Sequence, residues 1–488
     1  MTEVTVAEPA TKAAPASVLA DIVPQHLVLV LPTTGEFDSR TYRVASTVLA
    51  RGHRVTVVSR HKAGLAWEEQ HPAGFPIVRV LATAEDGMPF RSVVRFGRVV
   101  VRRLESIATR KPYRPPSVPR DWSPSAPPPP GAPVAGAPSI ARGVTDSPAE
   151  TAARVPFYSR AWMGVYRRLA IPLQIRSYRK NAVRTAPRGD LVHGMAFMGI
   201  PVALTVARRD GVPVVYDARD IHLDARNMAR MGRPARFLIG RAERGWAVAS
   251  SRVITVNDSY ADVLASRWPV ERPLVVMNCS YRFTPPTPRE RRFHEVLGLA
   301  ASERVVLYHG GLFPWRGIEQ LIEAIRLVPD ATLVLMGYGV LEPTLRAWEA
   351  DPATAGKVRV MGPVPPTELH DWVAAADVAG MPIQGDTLNH RLTTPNKLFE
   401  AMAAGVPAVV SDLPGMSAVV LDADSGILVD PTDVAGIAEA IRRILALTEA
   451  EWLAWRDRNV AVAHDRYNWE TQVEKLLDEY SRLTGKRW

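Results

Sequence analysis

Lys397 and Glu400 stand three residues apart in the stretch Thr393-Thr394-Pro395-Asn396-Lys397-Leu398-Phe399-Glu400-Ala401-Met402-Ala403-Ala404-Gly405-Val406-Pro407, a spacing that puts both on one face of a helix. A lysine in the first helical turn, beside backbone amides that no carbonyl takes up, makes an anion site. A carboxylate one turn deeper accepts hydrogen bonds from hydroxyls. Together they suit a nucleotide's diphosphate and ribose. Thr394 is the expected N-cap with Pro395 in the first turn, Gly405 the left-handed end, and Pro407 bars continuation before the strand Ala408-Val409-Val410. The same residues also fit an ordinary helix with its charges in water, and the stretch alone leaves both readings open.

Other residues of this kind sit where apolar runs end. Gly310-Gly311 follows Arg304-Val305-Val306-Leu307-Tyr308-His309, with Arg316 just before the next helical pattern, and Gly337-Tyr338-Gly339 ends the run from Ala331. Glycine turns let backbone approach a phosphate, and they also serve plain geometry. Arg219 and Asp220 follow Tyr216-Asp217, either as site residues or as a pair with each other. His193 ends Asp190-Leu191-Val192 and reads as an acceptor contact or a structural histidine, while Asn278 ends Leu274-Val275-Val276-Met277 and reads as a backbone cap.

The elements that carry these residues alternate strand and helix. His26–Leu31 is a buried strand, Pro32-Thr33-Thr34-Gly35 a loop, Ser39–Ala50 a helix, and Arg54–Ser59 the next strand. This is a Rossmann-like opening whose loop lacks G-x-G-x-x-G, which argues against a dinucleotide-dependent dehydrogenase. With the strands ending near His193, Asp217, Asn257 and Asn278, about six parallel strands are expected in a first sheet. A second unit of the same rhythm follows. The fold class is α/β, two Rossmann-like domains facing across a cleft. The expected boundaries are a flexible tail at 1–24, a first domain at 25–284 with a proline-rich insertion at about 111–150, and a linker at 285–302. A second domain at 303–450 precedes C-terminal helices at 451–488 that cross back to the first.

The 488 residues are 47% hydrophobic, enough for two large cores. No stretch reaches the length of a membrane span and the start carries no signal-peptide pattern, so the expected location is the cytoplasm. The single cysteine, Cys279, excludes an intrachain disulfide and reads as a buried small hydrophobe. The net charge of +10 is concentrated in basic segments at about 91–114 and 154–188. Met88–Arg110 reads as a basic helix and Ser159–Arg184 as another, kinked or divided by Pro172. These segments suit an anionic membrane surface on the inner face of the plasma membrane, or simply a solvated arginine-rich face. Without a helix-turn-helix, zinc or RNA-recognition pattern, nucleic acid is not an expected partner.

The stretches Gly310-Gly311 with Arg316-Gly317, Met336-Gly337-Tyr338-Gly339, Val360-Met361-Gly362, Asn396–Asp412 and Ser425–Asp430 resemble the donor domain of family 4 retaining glycosyltransferases. Asp38-Ser39-Arg40, Arg51–Thr56 and Tyr216–Asp220 match less strictly. The resemblance implies a GT-B arrangement and a nucleotide-diphosphate sugar as donor, with no cofactor and no metal. The acceptor would be a glycan, a lipid-linked molecule or a small molecule. It implies Arg316 and Lys397 on the diphosphate, Glu400 on the ribose, Gly35 close to the phosphates, and Gly310, Gly311, Gly337, Gly339, Thr394 and Asn396 around the donor. Arg219 stands where relatives have a histidine and joins the catalytic set; Asp220 and His193 are acceptor candidates. Two positions depart from the pattern: Leu392 replaces a carboxylate, leaving Asp386 the nearest upstream acid, and Gly311 replaces a second cation. A sugar-nucleotide epimerase of similar fold and a catalytically degenerate binding protein are the alternatives.

Overall fold

The computed structural model describes residues 23–35, 38–87, 157–229, 231–354 and 356–488. The expected basic helix at 88–110, the segment at 91–114, the proline-rich insertion and nearly all of the N-terminal tail lie outside the described residues. By packing, the described residues up to Leu81 and from Tyr178 onward make one compact unit that contains both sheets, and 82–177 make another.

The first sheet consists of β1 (His26–Val30), β2 (Arg54–Arg60), β3 (Glu68–Gln70), β4 (Pro76–Val80), β5 (Leu191–Met195), β6 (Val214–Asp217), β7 (Arg252–Thr255) and β8 (Leu274–Val275). Their order is β3-β4-β2-β1-β5-β6-β7-β8. Only β3 runs antiparallel, at the edge, so the sheet is larger than the six strands expected. The expected strand ending at Asn278 is short because regular pairing stops at Val275. In the middle, Val28 pairs with Thr56 on one side and Val192 on the other. Every residue of β1 is buried, as a parallel strand covered on both faces requires. Helix α1 (Ser39–Ala50) starts where the Asp38 carboxylate accepts the Thr41 amide at 3.0 Å.

Helix α2 (Arg233–Ala249) follows the loop after β6. Its inward Glu243 accepts the Tyr216 hydroxyl at 2.9 Å. Burial lifts the Glu243 pKa from 4.5 to about 7, although the Tyr216 bond and Arg267 oppose the rise. The folded protein therefore keeps a proton that the unfolded chain has released, and stability falls as pH rises through that window. Glu243→Gln is expected to raise the melting temperature at pH 8, by about 3 kcal/mol of stability, and to raise it much less at pH 5. Equal effects at the two pH values would overturn this assignment.

The second sheet has the order β11-β10-β9-β12-β13-β14 and is parallel throughout. Its strands are β9 (Arg304–Gly311), β10 (Ala331–Tyr338), β11 (Val358–Met361), β12 (Val378–Met381), β13 (Ala408–Ser411) and β14 (Gly426–Val429). Helix α3 (Asn396–Ala403) enters between β12 and β13. The stretch 285–302 is not bare linker: it contains the helix Arg292–Leu297, and Phe293 is buried in the second core with Cys279. The helix Phe157–Thr185 keeps Pro172 inside it, since one missing N–H removes a single bond from a long ladder. Helix α4 (Trp469–Thr484) lies on the first sheet. Its Val473, Leu476, Leu477 and Tyr480 share a core with Leu27 and Leu29, and the Trp469 indole donates to Thr47 Oγ1 at 3.0 Å. No helix of the described residues is long and apolar enough to cross a membrane.

Candidate active site

The carboxyl ends of both sheets face a cleft of about 530 Å³, the place where doubly wound sheets bind ligands. The first sheet brings Arg219 and Asp220 from the end of β6 and Asn278 from just beyond β8. The second brings Tyr308, His309, Gly310 and Gly311 from β9, Arg316 from the loop after it, and Thr394, Asn396, Lys397 and Glu400 from the start of α3. Helix α1 adds Arg40. A second hollow, of about 440 Å³ beside Leu421, Arg443 and Trp455, holds no comparable constellation.

Lys397 is the centre of the cleft's electrostatics. Its ammonium stands 3.6 Å from the centre of the Tyr308 ring, a cation–π contact, and Nζ is buried without a hydrogen-bond partner. Burial lowers its pKa well below 10.5; the charge of Arg316 adds to this and Glu400 only partly offsets it. Among the described residues Arg316 has no hydrogen bond or ion pair. Leu398 N–H is taken up by the Pro395 carbonyl at 3.0 Å, and the amides of Asn396 and Lys397 precede it at the helix start. Two basic side chains and a helix start thus converge on one part of the cleft.

Glu400 accepts His309 Nε2 at 2.9 Å through one carboxylate oxygen. Burial would raise its pKa, but the His309 hydrogen bond and the charges of His309, Arg43 and His370 outweigh it and bring the value to about 2. The carboxylate is therefore charged at neutral pH, with a second oxygen left for a ligand hydroxyl. His370, in contrast, is pushed down to about 4 by burial.

Several site residues stand differently from the sequence expectation. Helix α3 begins after Pro395, not Thr394. The Thr394 hydroxyl instead donates to the Gly415 carbonyl at 2.9 Å and accepts Asn257 Nδ2 at 3.0 Å, which ties the two domains together at the helix start. Asn257 Nδ2 also donates to the Leu392 carbonyl at 2.8 Å, so the residue in the place of the expected carboxylate contributes backbone. Arg219 does not pair with Asp220. Both its terminal nitrogens donate to Asp38, at 2.8 and 2.9 Å, while Asp220 accepts Asn389 Nδ2 at 3.1 Å. Asn278 is no backbone cap: its Nδ2 donates to Asn396 Oδ1 at 2.9 Å and its Oδ1 accepts Arg43.

His193 is fully buried and does not line the cleft. It touches the Tyr480 hydroxyl and lies 3.6 Å from Asp217, which is itself held by Arg40 at 2.6 Å. Gly337 and Gly339 also stay behind the cleft wall. A Cβ at Gly337 would come within 1.9 Å of the Gly310 carbonyl oxygen, and one at Gly339 within 2.1 Å of that of Leu312. The expected glycine turn is therefore the paired end of β9, where Gly310 and Gly311 lie opposite Gly337 and Tyr338 of β10. Gly310 has φ +103°, and a Cβ there would meet the end of Lys397. Gly35 lies against Ser59 and Ile77 and is not part of the lining.

The sequence reading missed His309, Arg43, Asn257 and Asn389. Only His309 left a local signal, as the one ring base in an otherwise apolar strand directly before the glycine pair. Among the described residues no group of three or more His, Cys, Asp or Glu side chains converges as metal ligands.

Residues 303–447, most of the second domain, match the family model described as Glycosyl transferases group 1. The chain is 30% identical over 214 residues to the D-inositol 3-phosphate glycosyltransferase of Xylanimonas cellulosilytica, covering 42% of this chain and 49% of the relative. It thus spans about half the length of that relative. It is 27% identical over 335 residues to the enzyme of the same name from a Nocardioides species, covering 63% and 70%. A third relative is the GDP-mannose-dependent alpha-(1-6)-phosphatidylinositol monomannoside mannosyltransferase of Mycolicibacterium smegmatis, 32% identical over 212 residues, covering 42% and 54%. Sucrose-phosphate synthase from Thermosynechococcus elongatus superposes with a TM-score of 0.64 at 16% identity, covering 94% of this chain and 99% of that one. The Anabaena protein HepE superposes at 0.61 and 16%, covering 94% and 100%. Both share the arrangement of two parallel-sheet domains.

Proposed function

We propose that the chain is a retaining, metal-independent glycosyltransferase that moves a hexosyl group from a nucleotide-diphosphate sugar to a glycan, lipid-linked or small-molecule acceptor. One observation carries this reading: the partnerless ammonium of Lys397, buried beside Arg316 and the start of α3. A buried cation is costly without an anion, and a diphosphate supplies one. The relative named for GDP-mannose supports a nucleotide-sugar donor, and the relatives named for inositol phosphate support a polyol acceptor.

In this reading the diphosphate lies between Arg316 and Lys397, over the Gly310-Gly311 end of β9, and the ribose hydroxyls donate to the free oxygen of Glu400. The bond from the sugar's anomeric carbon to the phosphate oxygen breaks, and one to the acceptor oxygen forms on the same face. The acceptor's proton passes to the departing phosphate oxygen. Negative charge grows on the diphosphate in the transition state, where two fixed cations and helix-start amides already point. Arg219, locked by Asp38, and Asp220 stand on the acceptor side. The basic segments at about 91–114 and 154–188 would bring the enzyme to an anionic membrane.

The test is incubation with UDP-, GDP-, ADP- and TDP-sugars, read as a thermal shift and as products. One base class is expected to raise the melting temperature and to release free nucleotide, with the anomeric configuration retained and activity kept in EDTA. An isomerised sugar still joined to its nucleotide would mean an epimerase. Binding without nucleotide release would mean a degenerate protein.

A further inference from the structure

We propose that the outer face of α2 is a docking surface for an anionic lipid membrane. Phe237 is 70% exposed and Leu238 64%, with Val248 at 53%; all three lie on one side of a helix of 17 residues, about 25 Å long. Arg233, Arg241 and Arg244 share that exposed stripe, recurring at helical spacing with the apolar residues between them. None of the three has an ion-pair or hydrogen-bond partner among the described residues. The helix carries a single acid, Glu243, and it points inward. The surface is therefore apolar and purely cationic, which matches the boundary between anionic headgroups and acyl chains.

The position of the helix gives the contact a purpose. Arg236 donates to the Leu223 carbonyl at 3.0 Å, and Gly240 lies against the Leu223 side chain. Leu223 belongs to the turn His222–Asp224, which begins two residues after Asp220, a residue of the cleft lining. A membrane held by α2 thus lies next to the chain segment that forms the cleft's first-sheet wall, where a membrane-anchored acceptor would enter. This surface is independent of the donor assignment and uses residues outside both basic segments named above.

The test is sedimentation of the full chain with vesicles of phosphatidylcholine alone or with about one third phosphatidylglycerol. Binding is expected to the anionic vesicles and to weaken with salt. Arg241→Glu with Arg244→Glu is expected to reduce partitioning by more than about 25-fold, since each arginine near such a surface contributes about fivefold. Phe237→Ser with Leu238→Ser is expected to lower it at least about tenfold. Both double variants should keep the wild-type melting temperature, because the changed side chains are exposed. Unchanged vesicle binding in both would overturn the proposal, as would loss only on neutralising Arg179 and Lys180. Self-association without lipid that Phe237→Ser abolishes would also overturn it, by making a second copy the occupant.

Discussion

Lys397→Met is expected to lower kcat/KM about 10²- to 10³-fold, roughly 3–4 kcal/mol of lost transition-state stabilisation, while making the unliganded protein more stable. The two effects have one cause. The ammonium is buried over Tyr308 with no hydrogen-bond partner, and burial together with Arg316 holds its pKa well below 10.5. A group whose charged form is disfavoured in the folded state weakens folding at pH values below its ordinary pKa, increasingly as pH falls toward the folded value. An apolar side chain of similar length removes that cost, by about 1–3 kcal/mol. Thermal melts across pH should show the gain of Lys397→Met growing toward lower pH and the nucleotide-induced shift disappearing. Wild-type turnover in Lys397→Met, with an unchanged melting temperature, would remove the proposed phosphate site.

Asp217→Asn is expected to cost about 3–5 kcal/mol of stability, because it leaves Arg40 charged and unpaired in the core. Arg40 and Asp217 are almost wholly buried and 2.6 Å apart. Burial alone would raise the carboxyl's pKa, but Arg40 first, then the His193 hydrogen bond and charge, bring it below the ordinary 3.8. The pair's stabilisation is therefore complete above that pH and is lost as pH falls through the folded-state value. His193 adds to the acid sensitivity from higher pH: burial lowers its pKa below 6.5 despite Asp217, so stability also declines as pH drops under that value. Urea titrations at pH 7 should show the loss in Asp217→Asn and recovery of most of it in Arg40→Met with Asp217→Leu, which removes both charges. A loss under about 1 kcal/mol would show that the pair is not desolvated as described. Arg40 also lines the cleft, so both variants should turn over more slowly.

The same residues mark the boundary between what was readable and what was not. The apolar runs of β1, β2, β9 and β10, the glycine pair Gly310-Gly311 at the end of β9 and the helical spacing of Lys397 and Glu400 are local features, set by backbone sterics and by the period of the element. From them followed the two-domain α/β fold and the placing of the Lys397–Glu400 stretch at a sheet's carboxyl edge. Charge partners have no such period. Arg219 faces Asp38 across 181 positions and Arg40 faces Asp217 across 177, so adjacency in the chain suggested Asp220 for the first and nothing for the second. Thr394 looked like a cap because its neighbours fit the pattern, but a hydroxyl bonds whichever group packing brings near, here Gly415 and Asn257. His193 looked available because it ends a strand, yet α4 returning to the first sheet places Tyr480 against it. The sequence by itself determined the elements and the charges offered near their ends. Only the tertiary structure decided which charges neutralise one another in the core and which, as with Lys397 and Arg316, line the cleft without an ion-pair partner among the described residues, because that choice depends on distance and desolvation rather than on order along the chain.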